Sequence, residues 1–158
     1  MTGIFDTVGF RIAQVGMRHR ILAQRLLAQV GVHPGQEFLL EQLWRHDGLA
    51  QTEIAVRAGV EAPTISRMVQ RLERAGFVER RADAFDGRIQ RVWLTAAGAA
   101  ARPKVHRAWD ELETTALAGL GAADRETLSD LLDRVRRNLQ RALDGHAPPC
   151  DDLSDDTR

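Results

Sequence analysis

Residues 51–94 constrain the fold of this chain more than any other segment. Apolar residues recur there first at helical spacing and then in short strand-like runs, and glycine marks the changes of pattern. The predicted elements are a short helix, a tight corner, a second helix ending at Ala75-Gly76, and two strands around an Asp86-Gly87 turn: 51–58, Gly59, 61–75, 77–81 and 89–94. The segment therefore predicts a helix, a turn, a helix and a two-stranded ribbon.

The second predicted helix has two chemically different sides. At 100° per residue, one face collects the apolar residues Ile65, Met68, Val69 and Leu72. The opposite side carries Pro63, Thr64, Ser66, Arg67, Gln70 and Arg74. Arginine, serine and glutamine hydrogen-bond phosphates and base edges, so we expect base contacts from Ser66, Arg67 and Gln70. Pro63 and Thr64 would lie near the helix N-terminus, and Arg74 would meet a phosphate; a solvated helix face is the alternative.

The ribbon that follows carries Arg88 at its tip, in the loop 82–88. Asp86, two residues earlier, is expected to hold the Arg88 guanidinium and orient it for a DNA minor groove. A local surface salt bridge is the alternative, and it would contribute little. Arg80, Arg81 and Arg91 are candidate phosphate contacts. A polar helix followed by an arginine-tipped ribbon is the winged helix-turn-helix pattern, in which the helix enters the major groove.

The charge distribution agrees with an anion-binding centre. The formal net charge of the 158 residues is +0, but residues 57–91 hold eight arginines against five acidic residues. From Asp144 onward there are five aspartates and one arginine. A basic middle and an acidic end suggest an anion-binding surface kept apart from a solvated tail, although surface charges also cluster by chance.

Helices are predicted on both sides of this centre. An amphipathic helix occupies the first 30 residues, and a second one, opened by His33-Pro34, reaches about His46. Thr95 caps a long helix to about Leu120, which Pro103 should kink or perturb in its first turns. The last helix, 123–143, has a stripe formed by Leu128, Leu131, Leu132, Val135, Leu139 and Leu143.

The first helix and the last two helices are together too long to pack against one small winged helix-turn-helix domain alone. Pairing with a second copy would bury their stripes, and two recognition helices one turn apart would match a palindromic operator. The fold class is therefore mainly α with a small β-wing. Residues 1–32 and 96–145 form dimerisation helices, 33–95 form the winged helix-turn-helix, and 146–158 are an acidic tail expected to be disordered.

Five motifs, in this order and at these spacings, carry a resemblance to a known family. They are residues 51–55 (QTEIA), 62–73 (APTISRMVQRLE), 76–81 (GFVERR), 86–88 (DGR) and 94–98 (LTAAG). The chain resembles the MarR (multiple antibiotic resistance regulator) family of bacterial transcription factors from about residue 4 to 143. The resemblance implies an obligate homodimer, a repressor by default, that binds an operator near its own or a neighbouring gene. It also implies that a small anionic or phenolic effector releases the DNA from a crevice between the dimerisation and DNA-binding parts.

Two departures from the family stand out. The chain has no cysteine near its N-terminus, where oxidant-sensing members carry one. Ala50 replaces the usual polar N-cap of the first reading helix, a loss of about 1 kcal/mol.

The effector site is expected between the first helix and the winged-helix core. Arg20 offers a planar fork for a carboxylate, and His19 stands beside it. Met17, Phe38 and Trp44 could supply apolar walls, and Gln36 stands where some members of the family line the ligand site. For His19 the alternative is a core or interface histidine.

Other functions find no support in the residues. No catalytic constellation, Gly-rich phosphate loop or histidine spacing for a metal is present, so we expect neither an enzyme nor a cofactor. No apolar run approaches the roughly 18 residues of a membrane span, and the N-terminus lacks a signal-peptide core, which indicates a cytoplasmic protein. Cys150 stands alone between prolines and aspartates, so we expect it to have no functional role; a redox sensor is the alternative. A winged helix used only for docking another protein is the remaining alternative.

Overall fold

The computed structural model describes residues 3–145 as a mainly helical chain with one small sheet. A short 3-10 turn at Ile4–Asp6 precedes the first helix. The elements are α1 Val8–Ala28, α2 Gln36–Arg45, β1 Leu49–Ala50, α3 Gln51–Ala58, α4 Ala62–Arg74, β2 Val78–Ala82, β3 Gln90–Leu94, α5 Ala96–Ala116 and α6 Ala122–Leu143. This is a winged helix-turn-helix flanked by helices, as predicted. Residues 3–116 form one compact unit, and the segment from 117 that contains α6 forms another.

The sheet is antiparallel in the order β1-β3-β2. The two wing strands pair from Val78 with Leu94 to Ala82 with Gln90. Leu49 pairs with Val92 and adds β1, a strand of two residues that the sequence pattern did not predict. Because Leu49, Val78 and Val92 are all buried, the base of the wing is part of the core.

The core of the first unit is formed where α4 meets α2 and α3. Ile65, Val69 and Leu72 are almost fully buried, which confirms the predicted apolar face of α4. They belong to one cluster with Leu40 of α2 and Ile54 of α3, among other residues. Burying each of these side chains stabilises the fold by roughly 1.5–3 kcal/mol, so the orientation of α4 is firmly determined.

Glycines and a capping hydrogen bond fix the ends of α3 and α4, the two helices of the helix-turn-helix. Gly59 and Gly76 have φ of 61° and 78°, a left-handed conformation that glycine adopts without a Cβ penalty. At the start of α3, the Ala50 N–H donates to Glu53 Oε2 over 2.7 Å. Glu53 thus supplies one of the two hydrogen bonds of a capping box and satisfies the backbone N–H at the start of the helix. The Ala50 side chain has no acceptor for the other hydrogen bond.

The junction between wing and α5 is closely packed. Thr95 Oγ1 accepts a hydrogen bond from the Gly98 N–H over 3.1 Å, which confirms the predicted cap. A Cβ on Gly98 would lie 1.9 Å from the Phe77 carbonyl oxygen. Trp44 Nε1 donates to the Gly98 carbonyl over 3.0 Å. Only glycine at position 98 allows α2, β2 and α5 to approach this closely.

Three predicted boundaries were wrong. α2 begins at Gln36 rather than at His33-Pro34, because Gly35 takes a left-handed φ of 98° and turns the chain just before it. α1 begins at Val8 rather than at the start of the chain, because Thr7 caps it: Thr7 Oγ1 accepts a hydrogen bond from the Phe10 N–H over 3.1 Å. α5 ends at Ala116 rather than at about Leu120, and Pro103 lies inside it. The tail 146–158, including Cys150, lies outside the described residues.

The second unit is dominated by α6. Its predicted leucine stripe is largely exposed: Leu131, Leu132 and Leu139 have about half or more of their surface in solvent, and Leu143 more. Among the described helices, none is long and apolar enough to cross a membrane.

Candidate nucleic-acid interface

The outer side of α4 is an open polar surface. Pro63, Thr64, Arg67, Gln70 and Arg74 are exposed, and Ser66 is half-buried. Within residues 3–145, the ion pairs of the protein do not involve Arg67 or Arg74. Two unpaired guanidiniums and an amide thus stand on the exposed side of a helix whose other side is locked in the core.

Arg80 fastens the C-terminal end of α4 to the wing. Its Nη2 and Nε donate to Glu73 Oε2 over 2.7 and 3.1 Å, and its backbone N–H donates to Glu73 Oε1 over 3.4 Å. The guanidinium hydrogen bond lowers the pKa of the Glu73 carboxyl. Each side chain is about one-third exposed. The predicted phosphate contact is therefore also a clamp between α4 and β2, which spacing alone did not indicate.

Arg81 is similarly engaged on the wing strands. It pairs with Glu79, and its guanidinium carbon lies 5.4 Å from the centroid of the Trp93 ring. A cation over an indole face at this distance is attracted to the ring. With more than half of its side chain in solvent, Arg81 still presents positive charge beside β2.

The tip of the wing is built around Asp83, which the sequence reasoning missed. Asp83 Oδ1 accepts the backbone N–H groups of Phe85 and Asp86 over 2.8 and 3.0 Å, while Oδ2 pairs with Arg91. Together, and led by the Arg91 hydrogen bond, these donors lower the pKa of Asp83 to about 2. Arg91 Nη1 also donates to the Gly48 carbonyl over 2.9 Å, so the tip is braced against the loop before α3. An Asp followed two and three residues later by turn amides is an Asx-turn signal that could have identified Asp83.

Asp86 acts differently from the expectation. Its Oδ1 accepts the backbone N–H of Arg88 over 3.0 Å, so it shapes the turn rather than holding the guanidinium. This is because a short Asp side chain reaches the amide two residues on more readily than the end of a long arginine. The Arg88 side chain is exposed and takes part in none of the ion pairs found in residues 3–145.

Comparisons with known proteins match this geometry. The family model "MarR family" matches residues 32–89. The chain is 30% identical over 107 residues to the uncharacterized HTH-type transcriptional regulator YybA of Bacillus subtilis, covering 68% of this chain and 71% of that protein. A crystal structure of a probable transcriptional regulator from Pseudomonas aeruginosa superposes with a TM-score of 0.77 at 32% identity, covering 84% of this chain and 99% of that one. The chain belongs to the MarR family.

A DNA complex is among the similar structures. The S. aureus MepR–DNA complex has a TM-score of 0.76 and 26% identity, and covers 83% of this chain and 97% of that chain. Membership of the MarR family, together with the exposed arginines of α4 and the wing, makes this protein a DNA-binding transcriptional regulator.

The residues predicted for an effector do not share one crevice in this MarR-family chain. Arg20 and Gln36 line a cavity of about 650 Å³ between α1, the loop before α2 and the end of α4. Its other polar walls are Gln24, His33, Arg71 and Arg74. Gln36 is buried, and its Oε1 accepts the His33 N–H over 3.0 Å.

The aromatic residues lie elsewhere in the same unit. Phe38 and Trp44 line a separate cavity of about 130 Å³ together with Trp109 of α5. The Trp109 ring centroid is 5.5 Å from that of Phe38 and 5.6 Å from that of His19. His19 thus packs on an aromatic ring, and Met17 is 65% exposed and lines neither cavity. The sequence could not foresee this division because Trp109 comes from a distant helix.

Proposed function

We propose that this regulator is a homodimeric repressor that binds a palindromic operator and releases it when a small organic anion binds. The observation that carries the DNA part is the outer side of α4, where unpaired Arg67 and Arg74 flank Gln70 above a locked apolar face. An arginine can bond guanine and a glutamine can bond adenine in the major groove, each through two hydrogen bonds. Ser66, Arg67 and Gln70 read bases in this proposal, and Arg74 contacts phosphate.

The wing supplies the second half of the contact. Arg88 enters the minor groove beside the recognition site, because its guanidinium is exposed at the tip of a braced ribbon. Pro63 and Thr64 lie in the first turn of α4, where backbone amides and the helix dipole favour a phosphate. Arg80 and Arg81 add positive charge along β2.

Unpartnered apolar residues support the dimer. Leu131, Leu132 and Leu139 of α6 are about half or more exposed, and α1 exposes Val8 and Val15 as well. A second copy of the chain would cover these faces and set two α4 helices about one DNA turn apart. The dimer acts in the cytoplasm, where it reaches its operator.

The cavity lined by Arg20 is the proposed effector site. Arg20, Arg71 and Arg74 bring three positive charges to its walls, and a carboxylate or similar anion would offset their mutual repulsion. Burial raises the pKa of the nearby Glu37 carboxyl, although the charge of Arg20 opposes that shift. Because Arg71 and Arg74 belong to α4, an occupant bears directly on the recognition helix. It changes DNA affinity only through its different affinity for two positions of that helix.

The alternative of a protein-docking module has less support. Docking helices expose apolar or aromatic anchors at their centre, whereas the outer side of α4 exposes arginine, glutamine and threonine. The deciding experiment is a fluorescence anisotropy titration of the protein against its own upstream DNA and a scrambled duplex at several salt concentrations. We expect tighter binding to the upstream DNA and a steep loss of affinity with salt. Equal, weak and salt-independent binding to both duplexes would contradict the proposal.

A further inference from the structure

Phe85 stands fully exposed at the tip of the wing, three residues before Arg88. Single exposed apolar residues are common on protein surfaces, so exposure alone decides nothing. One ring is also far too small for a protein–protein interface, which needs roughly 1,000 Å². What distinguishes Phe85 is its position on the DNA-facing ribbon and the support beneath it.

The backbone around the ring is held from several directions. The Phe85 N–H donates to Asp83 Oδ1 over 2.8 Å, and the Asp83 and Ile89 N–H groups close the ribbon with bonds of 2.9 Å. Asp83 is paired with Arg91, which reaches Glu53 of α3 over 3.4 Å. A side chain presented by a preorganised turn loses less conformational entropy on insertion than one on a mobile loop.

The charges at the tip also permit close approach to DNA. The carboxylates of Asp83 and Asp86 would repel phosphates if they were free. Asp83 is paired with Arg91, and Asp86, which keeps its charge, is turned toward the backbone by accepting the Arg88 N–H. The Arg88 guanidinium takes part in none of the ion pairs found in residues 3–145, so the tip carries an apolar ring and an unpaired cation on the same turn.

We infer that Phe85 is a minor-groove wedge that enters beside Arg88 and parts one base step of the operator. Apolar side chains used in this way unstack a step and bend the duplex toward the major groove. Pyrimidine–purine steps such as TA and CA unstack most easily, whereas A-tracts are stiff. Phe85 therefore selects a flexible step beneath each wing without any hydrogen bond to a base. This inference rests on the proposed DNA binding.

Base unstacking is measured directly with 2-aminopurine, whose fluorescence rises when it leaves the stack. The probe replaces, one at a time, the adenines of an operator mapped by footprinting. With wild-type protein we expect a rise at the step beneath the wing, and with Phe85→Ala no rise. Phe85→Leu keeps an apolar wedge and should retain most of the signal. All three proteins should fold equally, because the ring contributes no burial.

A second measurement couples the residue to the DNA step. Phe85→Ala should weaken operator binding roughly five- to 150-fold, as expected for loss of an aromatic–base contact. Replacing the flexible step by AA should weaken operator binding by the wild type but hardly change the operator affinity of Phe85→Ala. Val56→Ala, which trims an exposed apolar side chain of α3, is the control and should match the wild type.

The outcomes separate the two proposals. If wild-type protein binds the operator but no adenine in the footprint brightens, the wedge is wrong and the regulator stands. Equal affinities of wild type and Phe85→Ala would overturn the wedge in the same way. If wild-type protein binds no DNA, the proposed function itself falls, and the wedge falls with it.

Discussion

Arg88 and Arg67 both carry unpaired guanidiniums, but they should act on DNA in different ways. Arg88→Ala should weaken binding to every sequence and lower the salt slope by about one unit per protomer, because it removes a charge from the minor groove. Arg67→Ala or Gln70→Ala should instead relax preference at particular base pairs by about 1–3 kcal/mol. Anisotropy titrations against an operator and its single-base variants measure both effects. Wild-type affinities for both classes of mutant would contradict these assignments.

Asp83 links the shape of the wing to its ionisation. The pKa of its carboxyl falls from 3.8 to about 2 in the folded chain, first through the Arg91 hydrogen bond. A depressed pKa stabilises the fold above the unfolded value, and that stability is lost as pH falls through the folded one. The difference in unfolding free energy between wild type and Asp83→Asn should therefore be constant above about pH 4 and shrink toward pH 2. Denaturant unfolding at several pH values checks this, and a difference that grows toward pH 2 would contradict it.

The exposure and the partners of the site residues could be predicted from the sequence only where they depend on local spacing. Arg67 and Gln70 follow from helical periodicity, and the structure leaves both exposed. Arg80 does not, because its partner Glu73 lies seven residues away on another element. For Asp86 the predicted ion pair with the Arg88 guanidinium was wrong, because its carboxylate accepts the Arg88 backbone N–H instead.

At the level of elements, the close packing at the junction between the wing and α5 depends on Gly98. Gly98→Ala would place a Cβ 1.9 Å from a backbone carbonyl oxygen, which cannot move without shifting β2. We expect a loss of about 1–3 kcal/mol or more in unfolding free energy. Gly87→Ala is the matched control, since nothing lies within 4 Å of its added Cβ. Equal stability of the two variants in thermal unfolding would show that the junction is looser than the structure indicates.

Elements with a strong internal signal were predictable, and those defined by a neighbour were not. α3 and α4 follow from apolar periodicity and the glycines at their ends, and their bounds agree to within a residue. β1 is two residues long and exists only because β3 pairs with it. The start of α2 depended on the conformation of Gly35, which a preceding proline made easy to misread.

At the level of the whole molecule, the exposed stripe of α6 should hold two protomers together. Changing both Leu132 and Leu139 to glutamate should give monomers or unfolded chains, because each substitution would put a charge into an apolar interface. Ser129→Glu with Asn138→Glu adds the same charge at exposed polar positions of α6 and should leave the dimer intact. Light scattering at micromolar concentration reports the mass. A folded, monodisperse wild-type monomer would rule out the dimer.

Regulation of the proposed dimer by a small anion can be tested at the cavity lined by Arg20. Aromatic and aliphatic carboxylates are screened by thermal shift, where a ligand at 100 times its Kd stabilises the native state by about 2.7 kcal/mol. Arg20→Ala should lose this response, since an unpaired buried carboxylate is strongly disfavoured. Arg18→Ala is the control, because its side chain donates to the Gln14 carbonyl outside the cavity.

The same ligands should lower operator affinity, and bound operator should then lower their affinity by the same factor, as linkage between the two sites requires. If no carboxylate raises the melting temperature, or if Arg20→Ala responds like the wild type, this effector site is wrong. DNA binding would be unaffected by that result, because it depends on the outer side of α4 and on Arg88, whereas Arg20 belongs to α1. Arg74 alone is shared by the cavity and the DNA surface, so Arg74→Ala should weaken both kinds of binding. A loss of only one of them would assign Arg74 to that site.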